Sequence, residues 1–123
     1  MSERPLLCVV DDDVSVRESL PDLLSQLGLD VHAFSSAEDF LASQDVDMAA
    51  CLILDVAMPG MKGPDLQREL ALRGNRLPIV FITAHAHASV RQQMLARGAV
   101  ACIFKPFSER DLLAAVRTAL DRP

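Results

Sequence analysis

The sequence contains no tryptophan and no tyrosine, and its five phenylalanines hold aromatics to 4% of the chain, so any core has to be aliphatic. Positive charge is scarce as well: 12 Lys and Arg face 17 Asp and Glu, for a net charge of −5, and only Lys62 and Lys105 are lysines. An acidic domain lacks the basic face that displaces phosphate counterions, which argues against direct nucleic-acid binding. No apolar run is long. The longest, residues 48–54, falls far short of the ~20 residues that span a bilayer, so no membrane role is expected. The early run 6–10 ends in three aspartates, unlike a secretory leader. Cys8, Cys51 and Cys102 each lie inside an apolar stretch without CxxC spacing, which leaves no zinc site and suits a reducing compartment. A glycine-rich loop after the first apolar run is also missing, so a flavin or dinucleotide domain is not expected. These absences together predict a soluble, cytoplasmic protein.

What is present is a chain of 123 residues, half hydrophobic and a quarter charged, the size and balance of one globular domain. Short β-type runs alternate with helical patterns from end to end, which predicts a parallel sheet with helices on both faces. The strands read as 6–10, 29–34, 50–54, 78–83 and 100–104. A first helix carries Val16, Leu20, Leu23, Leu24 and Leu27 at helical spacing and ends at Gly28; Pro21 inside it predicts a kink. Ser35 and Ser36 with Glu38 and Asp39 open a short second helix with Phe40 and Leu41. A third helix has Pro64 at its first position and Gly74 after its last. A fourth spans 88–97 and stops at Gly98, and a fifth opens at Ser108 with Asp111 three residues on. The expectation is five strands and five helices.

Four strands end in polar residues: Asp11, Asp12 and Asp13 after the first, Asp55 after the third, Thr83 after the fourth and Lys105 after the fifth. In a parallel sheet all carboxyl ends lie along one edge, where open α/β folds bind ligands, so these residues converge. Taken alone, the aspartate triplet is equally a solvated turn with a helix cap, and Asp13 reads as that cap. Clustered carboxylates repel one another, and a hard divalent cation relieves them. An all-oxygen set with no His or Cys suits Mg²⁺. A metal, a hydroxyl (Thr83) and an ammonium (Lys105) around one carboxylate make a receptor for a phosphoryl group, which an Asp can itself accept. His85 and His87 read as polar loop residues rather than metal ligands, because no third ligand accompanies them.

The motifs “VVDDD” (9–13), “LILDVAMPGMKG” (52–63), “VFITAHA” (80–86) and “FKPF” (104–107), in this order, resemble the response-regulator receiver domain of two-component signalling. “SAEDFLAS” and “DVAMPGMKGPDLQ” are similar to its FixJ subgroup. The resemblance implies a doubly wound, flavodoxin-like sheet of order 2-1-3-4-5 and a single receiver domain over 1–123, with no effector domain in this chain. It implies that Asp55 is phosphorylated by a histidine kinase. Asp12, Asp55 and the backbone carbonyl of Ala57 would bind Mg²⁺, with Asp11 helping through water. Thr83 and Lys105 would contact the phosphoryl, and the Lys105–Pro106 bond would be cis. It further implies autocatalytic phosphoryl transfer with slow autodephosphorylation, and a homodimer through the fourth helix, fifth strand and fifth helix, feeding an effector that regulates transcription. Three positions depart from the pattern: Cys102 stands where the family has a switch aromatic, Phe104 replaces a polar residue before the lysine, and “TAHAH” (83–87) replaces “TGHGD”. A Mg²⁺-dependent phosphohydrolase with an aspartyl nucleophile and a phosphorylation-independent binding module are the alternatives. The first would want a carboxylate two residues after Asp55, where Ala57 stands.

Overall fold

The computed structural model describes residues 4–84 and 88–121. Five parallel strands, β1 (Leu6–Val10), β2 (Asp30–Phe34), β3 (Cys51–Asp55), β4 (Ile79–Thr83) and β5 (Ala101–Phe104), form one sheet of order β2-β1-β3-β4-β5. Between them run α1 (Val14–Ser25), α2 (Ala37–Leu41), α3 (Asp45–Met48), α4 (Gly63–Leu72), α5 (Ala88–Ala96) and α6 (Glu109–Leu120).

The central strands read as unbroken apolar runs because both of their faces are covered. Successive side chains alternate between faces, so each strand feeds two cores. Leu7, Val9, Ile53, Val80 and Ile82 pack against Val16, Leu20 and Leu24 of α1 and Leu112 and Val116 of α6. Cys8, Val10, Leu52, Leu54 and Phe81 pack on the opposite side with Phe40, Val46, Leu66, Leu70 and Met94. β2 lies at the edge and is largely exposed, which its polar alternation anticipates.

The structure corrects the element list in several places. α3 is a sixth helical segment among the described residues. It is one turn with a single buried anchor, Val46, too short to leave a periodic signal. The helices expected fourth and fifth are therefore α5 and α6. β2, β3, β4 and β5 each begin one residue later than the apolar patterns suggest, although Ala50 N–H still donates to the Leu6 carbonyl at 2.7 Å. β3 runs through Asp55 rather than stopping before it, and Pro64 is the second residue of α4, after Gly63. α1 continues through Pro21 for four more residues, so the proline removes one hydrogen bond without ending the helix. Of the residues expected to open the second helix, Ser36 is the cap, its hydroxyl accepting from Asp39 N–H at 3.1 Å.

Gly63 fixes how α4 leaves the sheet edge. Its N–H donates to the Val56 carbonyl at 3.1 Å, and it is fully packed in. A Cβ there would overlap the backbone carbonyl oxygen of Asp55 and sit 3.0 Å from Phe81 Cε1. Since neither backbone nor a buried ring gives way cheaply, Gly63→Ala is expected to cost about 2 kcal/mol or more of stability. Urea unfolding checks this through a lowered midpoint at constant slope; an unchanged midpoint would contradict the packing described.

Candidate functional site

The carboxyl edge of the sheet collects the polar residues. Asp11 follows β1 directly, and its N–H donates to the Phe34 carbonyl at 3.1 Å, which keeps it in register with β2. Its side chain is fully buried; Oδ1 accepts from Asp13 N–H at 2.9 Å. Asp12 is exposed. Asp13 turns away to cap α1, its Oδ1 accepting from Ser15 N–H at 2.8 Å. Asp55 closes β3 with 5% exposure, and Ala57 N–H donates to its Oδ1 at 3.3 Å. Thr83 is fully buried at the end of β4. Lys105 N–H donates to the Thr83 carbonyl at 2.7 Å, and the Lys105–Pro106 bond that follows is cis.

From there the Lys105 ammonium lies 2.8 Å from Asp11 Oδ2 and 3.7 Å from Asp55 Oδ2. The edge thus brings together Asp11, Asp12, Asp55 and Lys105, with Thr83 anchored beside the lysine, and leaves Asp13 to its helix. His85 and His87 lie outside the described residues. Two contributions were not evident from the sequence. Arg17, one turn into α1, donates to the Asp11 carbonyl at 3.0 Å and holds the acidic turn in place. Gly63 packs on the Asp55 backbone. A glycine before a proline reads as a turn, and nothing local signals the contact.

Charge dominates this edge. Burial and the neighbouring Asp11 charge push the Asp55 carboxyl up to about 7, although Lys105 and the Ala57 N–H oppose the rise. Burial pulls the Lys105 ammonium down, but its bond to Asp11 and the charges of Asp11, Asp55 and Asp13 outweigh that and raise it. One oxygen each from Asp11, Asp12 and Asp55 lies within 4.8 Å of the others. Oxygens sharing one Mg²⁺ at ~2.1 Å stand up to ~4.2 Å apart, so small side-chain adjustments close the set. Asp11 Oδ2 is buried and faces the Lys105 ammonium at 2.8 Å. The all-oxygen donor set, three carboxylates facing one ammonium, fits a hard divalent cation. The thiols contribute nothing here. Burial pushes Cys8 and Cys51 up to about 12, and it raises Cys102 too.

An open parallel sheet of this order, carrying an acidic cluster and a lysine at its carboxyl edge, has the architecture of a signalling receiver. The family model for the response regulator receiver domain matches residues 7–117, and the chain belongs to that family. Nodulation protein W of Bradyrhizobium diazoefficiens is 42% identical over 121 residues, 98% of this chain and 53% of that protein. Response regulator protein TodT of Pseudomonas putida is 43% identical over 121 residues, again 98% and 53%. The FixJ-N crystal structure superposes with a TM-score of 0.85 at 33% identity, covering 100% of this chain and 98% of that one. The chain spans about half the length of the curated relatives it matches. The likeness to FixJ agrees with the subgroup that the motifs resemble.

The raised Asp55 carboxyl carries a stability signature. In the fold it keeps its proton to about 7, whereas the unfolded chain releases it near the ordinary ~4. The folded state therefore binds the extra proton. Its contribution is complete below the unfolded value and is lost as pH rises through the folded one. In chelator, Asp55→Asn is expected to match the wild type near pH 4 and to exceed it by about 1–3 kcal/mol at pH 8. Denaturation curves across that range test this; a pH-independent difference would contradict it.

Proposed function

We propose that this receiver domain takes a phosphoryl group from the phosphohistidine of a histidine kinase onto Asp55. The supporting observation is the placement of one buried carboxylate, Asp55, within reach of the Lys105 ammonium and of two further carboxylates at the same sheet edge. The P–N bond of the donor breaks as a bond forms from an Asp55 carboxylate oxygen to phosphorus. Lys105 supplies a compact positive charge to the phosphoryl oxygens, and Thr83 supplies a hydroxyl. Bound Mg²⁺, held by Asp12, Asp55 and the Ala57 carbonyl with Asp11 acting through water, would neutralise the charge that transfer brings. That division of labour is supported by Asp11 being paired with Lys105 while Asp12 is exposed. Ala57 offers no carboxylate to activate water, so hydrolysis is slow and the domain signals rather than turns over substrate.

The added charge, about −1.5 to −2, is read through Thr83 and the face made by α5, β5 and α6. We propose that this face pairs two copies when Asp55 is phosphorylated. Cys102 on β5 is buried and carries no ring, so the signal passes from Thr83 to α5 instead of through a rotating aromatic. TodT and nodulation protein W are roughly twice as long as this chain, and relatives such as FixJ of Azorhizobium caulinodans are named transcriptional regulatory proteins, which supports a receiver over 1–123 acting on an effector that regulates transcription. Three free buried thiols suit the cytoplasm.

Acetyl phosphate with Mg²⁺ is expected to add one phosphoryl group to the wild type and none to Asp55→Asn. Intact-mass spectrometry reads the adduct, and undiminished labelling of the variant would overturn the assignment. Asp12→Ala is expected to weaken Mg²⁺ binding by at least about tenfold. Asp13→Ala should change it by less than about twofold while costing ~1 kcal/mol as a lost helix cap. Equal losses of affinity in a metal titration would place the ligand pair one residue later.

A further inference from the structure

We infer that Glu38 is a positioning residue that latches the β3–α4 loop and thereby sets the affinity of the acidic site for Mg²⁺. This rests on the reading of that site given above. Glu38 is the second residue of α2, a helix held to the core by buried Ala37 and Phe40. Its Oε2 accepts from the Met61 N–H at 3.2 Å, across 23 residues of sequence. The residue before Met61 is Gly60, with φ +74, and a Cβ there would stand 2.7 Å from the same oxygen. The carboxylate thus sits against loop backbone at a point that a glycine leaves open, in a conformation that glycine favours.

The same loop leaves the candidate phosphoacceptor. Ala57 N–H donates to Asp55 Oδ1, and Gly63 N–H donates to the Val56 carbonyl, so both roots of the loop are tied beside Asp55. Met58 is buried, while Ala57, Pro59 and Gly60 are exposed. Between those roots, Glu38 ties the far turn to a separate helix. The carbonyl assigned to the metal belongs to Ala57, inside this span. Releasing the turn lets the span sample arrangements in which that carbonyl is misdirected, and apparent affinity falls with the fraction correctly placed.

Two variants separate a latch from a charge. Glu38→Ala and Glu38→Gln both remove the negative charge, but the Gln carbonyl can still accept from Met61 N–H. In ¹⁵N-labelled full chain without metal, Glu38→Ala is expected to speed Met61 amide exchange at least about fivefold and to weaken Mg²⁺ binding about three- to tenfold. Glu38→Gln should stay within about twofold of wild type in both. Mg²⁺ affinity is read by calorimetry, independently of phosphorylation. Equal weakening by the two variants would show a through-space charge effect and overturn the latch, as would unchanged Met61 exchange in Glu38→Ala. A wild type that binds no Mg²⁺ would overturn the reading of the site and the inference with it. Wild-type binding that Glu38→Ala leaves intact would overturn the latch alone.

Discussion

The contact between the Lys105 ammonium and the buried carboxylates of Asp11 and Asp55 is the constraint on which the carboxyl edge depends. Carboxylates removed from water carry a desolvation cost that one well-placed cation only partly offsets, and deleting that cation would leave them uncompensated. Lys105 holds its position because its own N–H continues the ladder onto the Thr83 carbonyl at 2.7 Å. The sheet therefore places the charge as well as the strands. β4 separates β5 from β3, so an ammonium that starts beyond β5 must cross roughly 10 Å to approach Asp55. A long apolar stem with a compact charge at its tip suits that span, and the stem keeps the side chain at 16% exposure.

The topology explains why the acids divide as they do. β1 and β3 are adjacent and parallel, in register from Leu7 opposite Cys51 to Val10 opposite Leu54. The residues that follow, Asp11 and Asp55, therefore emerge side by side. The turn then has to start α1. Asp13 is consumed by the cap, Asp11 is drawn inward by the Asp13 N–H and held from behind by Arg17, and Asp12 is left to face water. Three consecutive identical residues acquire three environments from backbone direction alone.

Much of this was legible in the sequence, and the reason is periodicity. Central strands covered on both faces are unbroken apolar runs, so their ends, and with them Asp55, Thr83 and Lys105, can be located to within a residue. The N-cap role of Asp13 and the cap at Ser108 follow from local rules and are found in the structure. What escaped notice had no periodic or local signal. α3 is a single turn. Arg17 reaching back to Asp11 looks like any polar residue on an amphipathic helix. Gly63 resembles an ordinary turn glycine until Asp55 is folded against it. Glu38 reads as part of a helix start, while its carboxylate is engaged by Met61, 23 residues away. Each of these depends on a distance that only the tertiary structure sets.

Charge arithmetic connects the resting site with its proposed use. Burial and the neighbouring Asp11 charge lift the Asp55 carboxyl to about 7, and the edge as a whole sets three carboxylates against one lysine, a deficit of two charges when all are ionised. A proton answers this in the metal-free protein, and a divalent cation would answer it more completely while freeing Asp55 to react. Under the proposed reading, converting the Asp55 carboxylate to an acyl phosphate exchanges about one negative charge for about two, so the deficit rises to roughly three. Lys105 is already counted in that total and cannot supply more. A divalent cation brings the residue down to about one, a charge that an N–H or hydroxyl donor can stabilise. Under the same reading, the excess of acid that helps to raise the Asp55 carboxyl also makes phosphoryl acceptance depend on the metal, and both trace to a sheet edge built with more acid than base.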